Sequence, residues 1–195
     1  NIQDHPAELG VPAGRSIVVG RELPYLPAAL AQRQENYENR LTEDPEAKCF
    51  MVGVPRITYM PYPFQVVQTP EQVTILYEYV HSFRNIYIDS EHPAGPIQWG
   101  MGDSRAVWDG DTLVVRTTHM SPDNNMWTAG FPFSGDENTY VIERYTRDGD
   151  MLTFRGEVHD PTYYEEPYVV NGRWSFAPEG EIWEYECIPE FGGIL

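Results

Sequence analysis

One eight-residue pattern, DGDxLxxR, occurs twice in this chain: Asp109-Gly110-Asp111-Thr112-Leu113-Val114-Val115-Arg116 and Asp148-Gly149-Asp150-Met151-Leu152-Thr153-Phe154-Arg155. An Asp-Gly pair supplies the positive φ angles that tight hairpins need. Strand-like runs flank each copy, so the pattern marks two hairpin tips and commits the middle of the chain to antiparallel pairing. A calcium loop also uses Asp-x-Asp, but an EF-hand needs a third ligand two residues on and a Glu at its twelfth position. Neither copy has them. Two copies are also too few for a propeller or solenoid array.

Around the tips the chain reads as nine short strands: Val73 to Val80, Ile86 to Asp89, Arg105 to Trp108, Thr112 to His119, Tyr140 to Thr146, Met151 to His159, Tyr168 to Val170, Arg173 to Phe176 and Ile182 to Cys187. Each is rich in β-branched or aromatic residues and bounded by Gly, Pro, Asn or Asp. The expected fold is all-β, an antiparallel meander over residues 56–187 closed as a lipocalin-like barrel, with a β-sandwich as the alternative. Residues 1–24, rich in Gly and Pro, read as an extended arm. One N-terminal helix is expected over 26–42, where Leu26, Leu30, Tyr37 and Leu41 share a helical face. Asp44-Pro45 ends it, and Pro55, Pro61, Pro63 and Pro70 break the next stretch into short pieces. The 195 residues, 41% of them hydrophobic, suit a single domain with a substantial core.

Lys and Arg number 13 against 30 Asp and Glu, a net charge of -17. Such a surface repels phosphate backbones and anionic lipid, so neither nucleic acid nor membrane is an expected partner. No apolar run approaches the roughly 20 residues that span a bilayer. Asn1, with no Met before it, suggests a removed leader or a trimmed chain, which leaves the compartment open. Cys49 and Cys187 are either a staple tying the N-terminal region to the last strand or two free thiols. Closing so long a loop adds roughly 5 kcal/mol in the chain-entropy account. Without a CxxC spacing, a thiolate zinc site is not indicated.

Alternate residues of a strand share a face, so candidate inward rows can be read directly. Leu113, Val115 and Thr117 lead to His119, and Val73, Ile75, Tyr77 and Tyr79 lead to His81, with Arg84 close behind. A buried imidazole among apolar groups can act as an acid or base near neutral pH. His159 falls off its row by parity unless Gly156 makes a bulge. Arg84, Arg105 and Arg144 could hold a carboxylate or phenolate ligand, although surface ion pairing is their commoner use. Asp103-Ser104-Arg105, beside Trp99 and Trp108, reads as a polar end to a pocket or as a loop anchor. A Ser104/His119/Asp103 triad lacks the Gly-x-Ser-x-Gly elbow, and a His81/His119/His159 metal set lacks HxH or HExxH spacing, so no metal is expected. Tyr77, Trp99, Trp127, Phe131, Tyr164 and Trp174 are the expected ligand-binding walls, since aromatic surfaces with few polar groups suit flat or apolar molecules.

The stretch DPEAKCFMVGVPRITYMPYPFQVVQT from Asp44 to Thr69, with MGDSRAVWDGDTLVV and ERYTRDGDMLTF, resembles a broad family of mostly uncharacterised bacterial proteins. The resemblance covers roughly residues 20–190. Many members of that family carry export signals, so it implies a periplasmic or secreted origin and favours the Cys49–Cys187 bridge. It implies no activity and no catalytic residue. Where such relatives read VVDTT after DGDTL, this chain carries Arg116 and His119.

With no cofactor motif in view, the chain reads as a cofactor-independent isomerase, lyase or cyclase acting on an apolar or aromatic small molecule. His119 or His81 would move the proton, and Arg84 or Tyr79 would stabilise developing negative charge. The alternative is a lipocalin-like carrier or sensor of the same ligand. A third class, an interaction module, would have a solid interior, and a homodimer stays open.

Overall fold

Both DGD patterns turn as tight hairpins. Gly110 and Gly149 each take φ of +57° at the first loop position, a conformation that glycine adopts without a Cβ clash. A computed structural model describes residues 3–5, 14–16, 18–19, 23–124 and 130–188. In chain order its elements are β1 (Gln3–His5), β2 (Gly14–Ser16), β3 (Val18–Val19), α1 (Pro27–Glu38), α2 (Arg40–Glu43), α3 (Arg56–Tyr59), β4 (Phe64–Gln68), β5 (Gln72–Tyr77), β6 (Phe83–Ile88), β7 (Asp103–Asp109), β8 (Thr112–Thr118), β9 (Tyr140–Asp148), β10 (Met151–His159) and β11 (Tyr168–Ser175). Within the first 24 residues, β1 pairs with β2 in a separate small ribbon.

Among the described residues the main sheet has nine strands in the order β3-β11-β10-β9-β8-β7-β6-β5-β4, curled into a half-barrel. The all-β, barrel-like expectation is met. The meander departs from strict antiparallel order once, because β6 and β7 are parallel. Parallel neighbours need a crossover, and residues 89–102 provide it. The margins of the half-barrel approach through side chains: Phe64 on β4 meets Trp174 on β11 edge-on, with ring centroids 5.3 Å apart.

The concave face holds the core. Val73 and Ile75, Ile86, Leu113 and Val115, Val141, Phe154 and Val158, and Val170 supply one inward row after another, and Val52, Val54, Ile57 and Met60 pack with them. Gly156 lies between Phe154 and Val158 in an unbroken β9–β10 register, without a bulge. A Cβ there would stand 2.6 Å from the Phe154 ring, so the glycine lets that ring lie flat over the strand.

Three expectations need correction. The helix forms with Pro27 in its first turn, but Leu30 and Leu41 are 53% and 62% exposed. Its packed side is instead Ala29 and Asn36, whose amide donates to the Gly130 carbonyl at 3.2 Å. Residues 182–187 are not a strand: Trp183, Tyr185 and Cys187 alternate with Glu184 and Glu186 as a strand would require, but among the described residues no strand pairs with this segment, and Ile182 and Trp183 are 38% and 73% exposed. It is fastened by the Cys49–Cys187 disulfide, by Tyr185 against Tyr62 and Tyr79, and by the Trp183 N–H donating to Glu78 Oε2 at 3.0 Å. β11 runs unbroken through Asn171-Gly172, where the sequence suggested two strands.

Candidate functional site

The concave interior is occupied by a buried charge network. Arg84 on β6 donates from Nε to Ser104 Oγ (3.0 Å), from Nη1 to Glu143 Oε1 (3.1 Å), and from Nη2 to Thr117 Oγ1 (2.7 Å) and Glu143 Oε2. Glu143 also accepts from Thr58 Oγ1 on α3 and from the Tyr145 hydroxyl, each at 3.1 Å. Inward positions on β6, β7, β8 and β9 thus converge on one ion pair. Burial alone would lower the Arg84 pKa, but the Glu143 carboxylate outweighs it and holds the guanidinium charged. Burial pushes the Tyr77 phenol up to about 12 against the pull of Arg84.

This arrangement reassigns several predicted site residues. Each guanidinium nitrogen of Arg84 already donates inside the protein, so Arg84 acts as a structural ion-pair partner rather than an anion stabiliser for substrate. Tyr77, Tyr79 and Tyr164 are core residues. The Tyr79 hydroxyl donates to the Phe50 carbonyl (3.2 Å) and that of Tyr164 to the Pro132 carbonyl (2.8 Å). Trp174 packs on Phe64 and Phe154. Phe131 lies near the Arg33 guanidinium. Trp127 lies outside the described residues. Ser104 points inward to Arg84 while Asp103 points outward, so the Ser104/His119/Asp103 combination does not assemble.

The two histidines expected to face inward do not. β5 ends at Tyr77, and the chain turns through residues 79–81, where Val80 and His81 take positive φ and His81 is exposed. His119 follows β8 with φ of +55°. That left-handed step carries its ring off the inward row to the convex side of the sheet, where Thr118, Asp103 and the 89–102 crossover lie.

There His119 joins a residue that the inward-row reading passed over, His92. His92 Nδ1 is 2.7 Å from Asp103 Oδ1 and 3.1 Å from Thr118 Oγ1. Thr118 Oγ1 is 2.8 Å from His119 Nδ1, and His119 Nε2 is 3.1 Å from the Gly95 carbonyl. One proton assignment satisfies every contact. His119 Nε2–H donates to Gly95, the Thr118 hydroxyl donates to His119 Nδ1, and His92 Nδ1–H donates to Asp103 and Thr118. His92 Nε2 is then a bare lone pair, on a side chain that is 19% exposed. Arg105 grips Asp103 with two bonds of 2.7 Å. Burial works to raise the Asp103 carboxyl, but the bonds from Arg105 and His92 outweigh it and hold it below the usual carboxylate range. Partial burial lowers the His92 pKa despite the opposing pull of Asp103, so the imidazole is neutral at neutral pH.

Trp99 completes the cluster. Its ring centroid is 5.9 Å from that of His119, and its N–H and carbonyl bond to the backbone of residues 119 and 121. Trp99 is 41% exposed, and Ile97 beside it is also exposed. Asp103 and Arg105 share the outer face of β7 by simple alternation, and that alternation is the one signal in the sequence from which this cluster could be found. His159 is elsewhere, stacked on Tyr140 with centroids 4.2 Å apart. Among the described residues no three His, Cys, Asp or Glu side chains converge as metal ligands.

Fold and cluster together define a barrel-like β protein that carries a hydrogen-bonded His/Asp acid–base cluster on its convex face. In comparisons with family models, curated proteins and solved structures, the chain matches none of them.

Proposed function

We propose that the protein is a cofactor-independent enzyme in which His92 moves a proton on an apolar or aromatic small molecule lodged against Trp99 and Ile97. The observation that carries this reading is the one-way hydrogen-bond chain from His92 to Thr118, His119 and Gly95, which leaves His92 Nε2 as an accepting lone pair. A neutral imidazole oriented by a carboxylate is the usual construction of a general base. Asp103 fixes the tautomer and steadies the imidazolium that forms after proton uptake, and Arg105 keeps Asp103 ionised. His119 has both ring nitrogens engaged and serves as a positioning residue. The reaction classes that need only such a base are isomerisation, elimination and cyclisation. The disulfide fits an oxidising compartment such as the periplasm or the exterior.

The test begins without a substrate. Nitrogen-15 NMR of the histidine rings at neutral pH is expected to show His92 protonated at Nδ1 and bare at Nε2; the opposite tautomer, or an imidazolium, overturns the assignment. Mass spectrometry of candidate metabolites incubated in heavy water then separates enzyme from carrier. Deuterium uptake or product should vanish in His92→Asn, fall in Asp103→Asn and persist in His81→Ala. Ligand retained unchanged by the wild type would make the protein a carrier.

A further inference from the structure

The convex face holds a second feature far along the same strands from His92. A recess of about 410 Å³ crosses β8 to β11, lined by Arg144, Arg155 and Arg173, by the hydroxyls of Thr112, Thr146 and Thr153, and by Asn171. Among the described residues no carboxylate lines it, although the chain carries 30 Asp and Glu against 13 Lys and Arg. The strand register explains how the arginines meet. Arg144 on β9 faces Arg155 on β10 directly, Arg155 faces Asn171 on β11, and Thr153, two residues before Arg155, faces Arg173. Neighbouring strands stand about 4.8 Å apart, so three guanidiniums on three adjacent strands are within reach of one small ligand.

Like charges directly opposite one another weaken a sheet. Glu157 offsets part of this repulsion by pairing with both Arg144, at 3.0 Å, and Arg155. Arg173 is exposed and has no ion-pair or hydrogen-bond partner among the described residues. Three guanidiniums less one carboxylate leave two uncompensated positive charges, bordered by three hydroxyls and an amide. We propose that this recess binds a dianionic oxyanion group, with Arg173 as its free clamp and Arg144 and Arg155 as its floor. Guanidinium donors match planar or tetrahedral oxyanions through paired hydrogen bonds, and the Asn171 amide adds a donor. Thr153 donates to the Thr146 carbonyl (3.1 Å) and the Thr112 and Thr146 hydroxyls bond each other (2.9 Å), which leaves one O–H of that pair for the ligand. The carboxylates of the two DGD tips lie at the end of the strands beyond Thr112 and Thr146, and they set a negative boundary against longer polyanions.

Isothermal titration calorimetry on the full chain, with inorganic phosphate, sulfate and malonate as separate probes, tests this. At least one dianion should bind with one-to-one stoichiometry. The tightest of the three shows whether the natural group is phosphoryl, sulfuryl or dicarboxylate. Arg173→Gln, at an exposed position without a hydrogen-bond or ion-pair partner among the described residues, should weaken that binding about tenfold or more, the worth of one charge-assisted contact. Arg155→Gln combined with Arg173→Gln should abolish it. Arg147→Gln, where the guanidinium stacks on Phe176 outside the recess, should leave it unchanged. Equal binding by wild type and all variants means an adventitious ion only and overturns the proposal, as does binding of a long polyanion with no response to the small dianions. Unchanged circular dichroism of Arg173→Gln confirms that a loss reports the site and not the fold.

Discussion

Changing Glu143 to Gln keeps the side-chain shape and removes one charge from the centre of the half-barrel. Glu143 is 0% exposed and Arg84 is 1% exposed. The carboxylate accepts from both terminal nitrogens of Arg84, from Thr58 and from Tyr145. A carboxamide keeps a single accepting oxygen for those donors and leaves the Arg84 guanidinium as a buried cation without a counter-ion. Removing one partner of a buried pair costs roughly 3–5 kcal/mol. That is a large share of the roughly 5–15 kcal/mol that separates folded from unfolded chains. For a domain of this size it lowers Tm by about 6–20 °C, at roughly 2–4 °C per kcal/mol. Urea denaturation followed by tryptophan fluorescence measures the loss. The double change Arg84→Met with Glu143→Leu is expected to recover most of it, because an apolar replacement of a buried pair removes the desolvation cost of both charges. A loss below about 1 kcal/mol for Glu143→Gln would refute the reasoning, since it falls outside the cost of stranding a buried charge. Arg84 would then be reached by water from within, and the interior would be hollow enough to seat a ligand against Tyr77 and Tyr79.

Acid should weaken the fold in two stages. The pKa values of His92 and His159 are lowered chiefly by burial, so the unfolded chain binds protons that the folded one resists. Stability therefore falls as pH drops below the ordinary histidine value of about 6.5, until their lowered folded values are passed. Asp103, Asp136 and Glu157 are held below the usual carboxylate range. Their contribution is present above the ordinary value of about 4 and is lost as pH falls through their folded values. Thermal melts across pH should show His92→Asn flattening the first stage only, and superimposable curves would count against it. The glycines offer a local contrast. Gly110→Ala meets nothing within 4 Å and costs only its left-handed backbone, about 1 kcal/mol. Gly156→Ala drives a methyl to 2.6 Å from the Phe154 ring and should cost more, roughly 1–3 kcal/mol with displacement of that ring. Equal losses in chemical denaturation would show that the ring does not lie over Gly156.

The hairpin tips and the alternation along β8, β9 and β10 were legible in the sequence because Asp-Gly and period-two patterning are local signals. Leu113, Val115, Val141, Phe154 and Val158 are buried as alternation requires. Parity fails where the chain leaves a strand through a left-handed residue, and both histidines lie beyond such an end: His81 at φ +51° in the turn after β5, and His119 at +55° directly after β8. Each continued an apolar row on paper and left it in space. Nothing local marks such a step at a non-glycine residue; at His119 the ring is held by its neighbour Thr118 and by the Gly95 carbonyl, 24 residues away in the crossover. Arg84 was noticed for its charge, yet its counter-ion is 59 residues away on β9; that pairing depends on the sheet order. His92 was missed for a related reason. It belongs to a Pro- and Gly-rich loop with no periodicity, and only the parallel β6–β7 crossover brings that loop beside Asp103.

The two faces of the sheet treat charge in opposite ways. The concave face uses its polar groups on each other: Arg84, Glu143, Ser104, Thr117, Thr58 and Tyr145 form one satisfied network, which orders the interior and leaves those donors engaged. The convex face does the reverse. Arg105 faces Arg116, and Arg144 faces Arg155, as direct cross-strand pairs, an arrangement that opposes sheet stability. Local partners relieve most of these charges: Asp103 for Arg105, the Tyr140 ring for Arg116, and Glu157 for Arg144 and Arg155. Arg173 keeps its full charge exposed. In a chain of net charge -17, acidic side chains that could neutralise such a row are abundant, and a sheet face adapted to solvent alone would interleave them. The lone pair of His92 at one end of β8 and the arginine recess at the other are therefore two positions, among the described residues, where the convex face leaves its own groups unsatisfied, and a ligand that supplied the missing partner would gain by binding there.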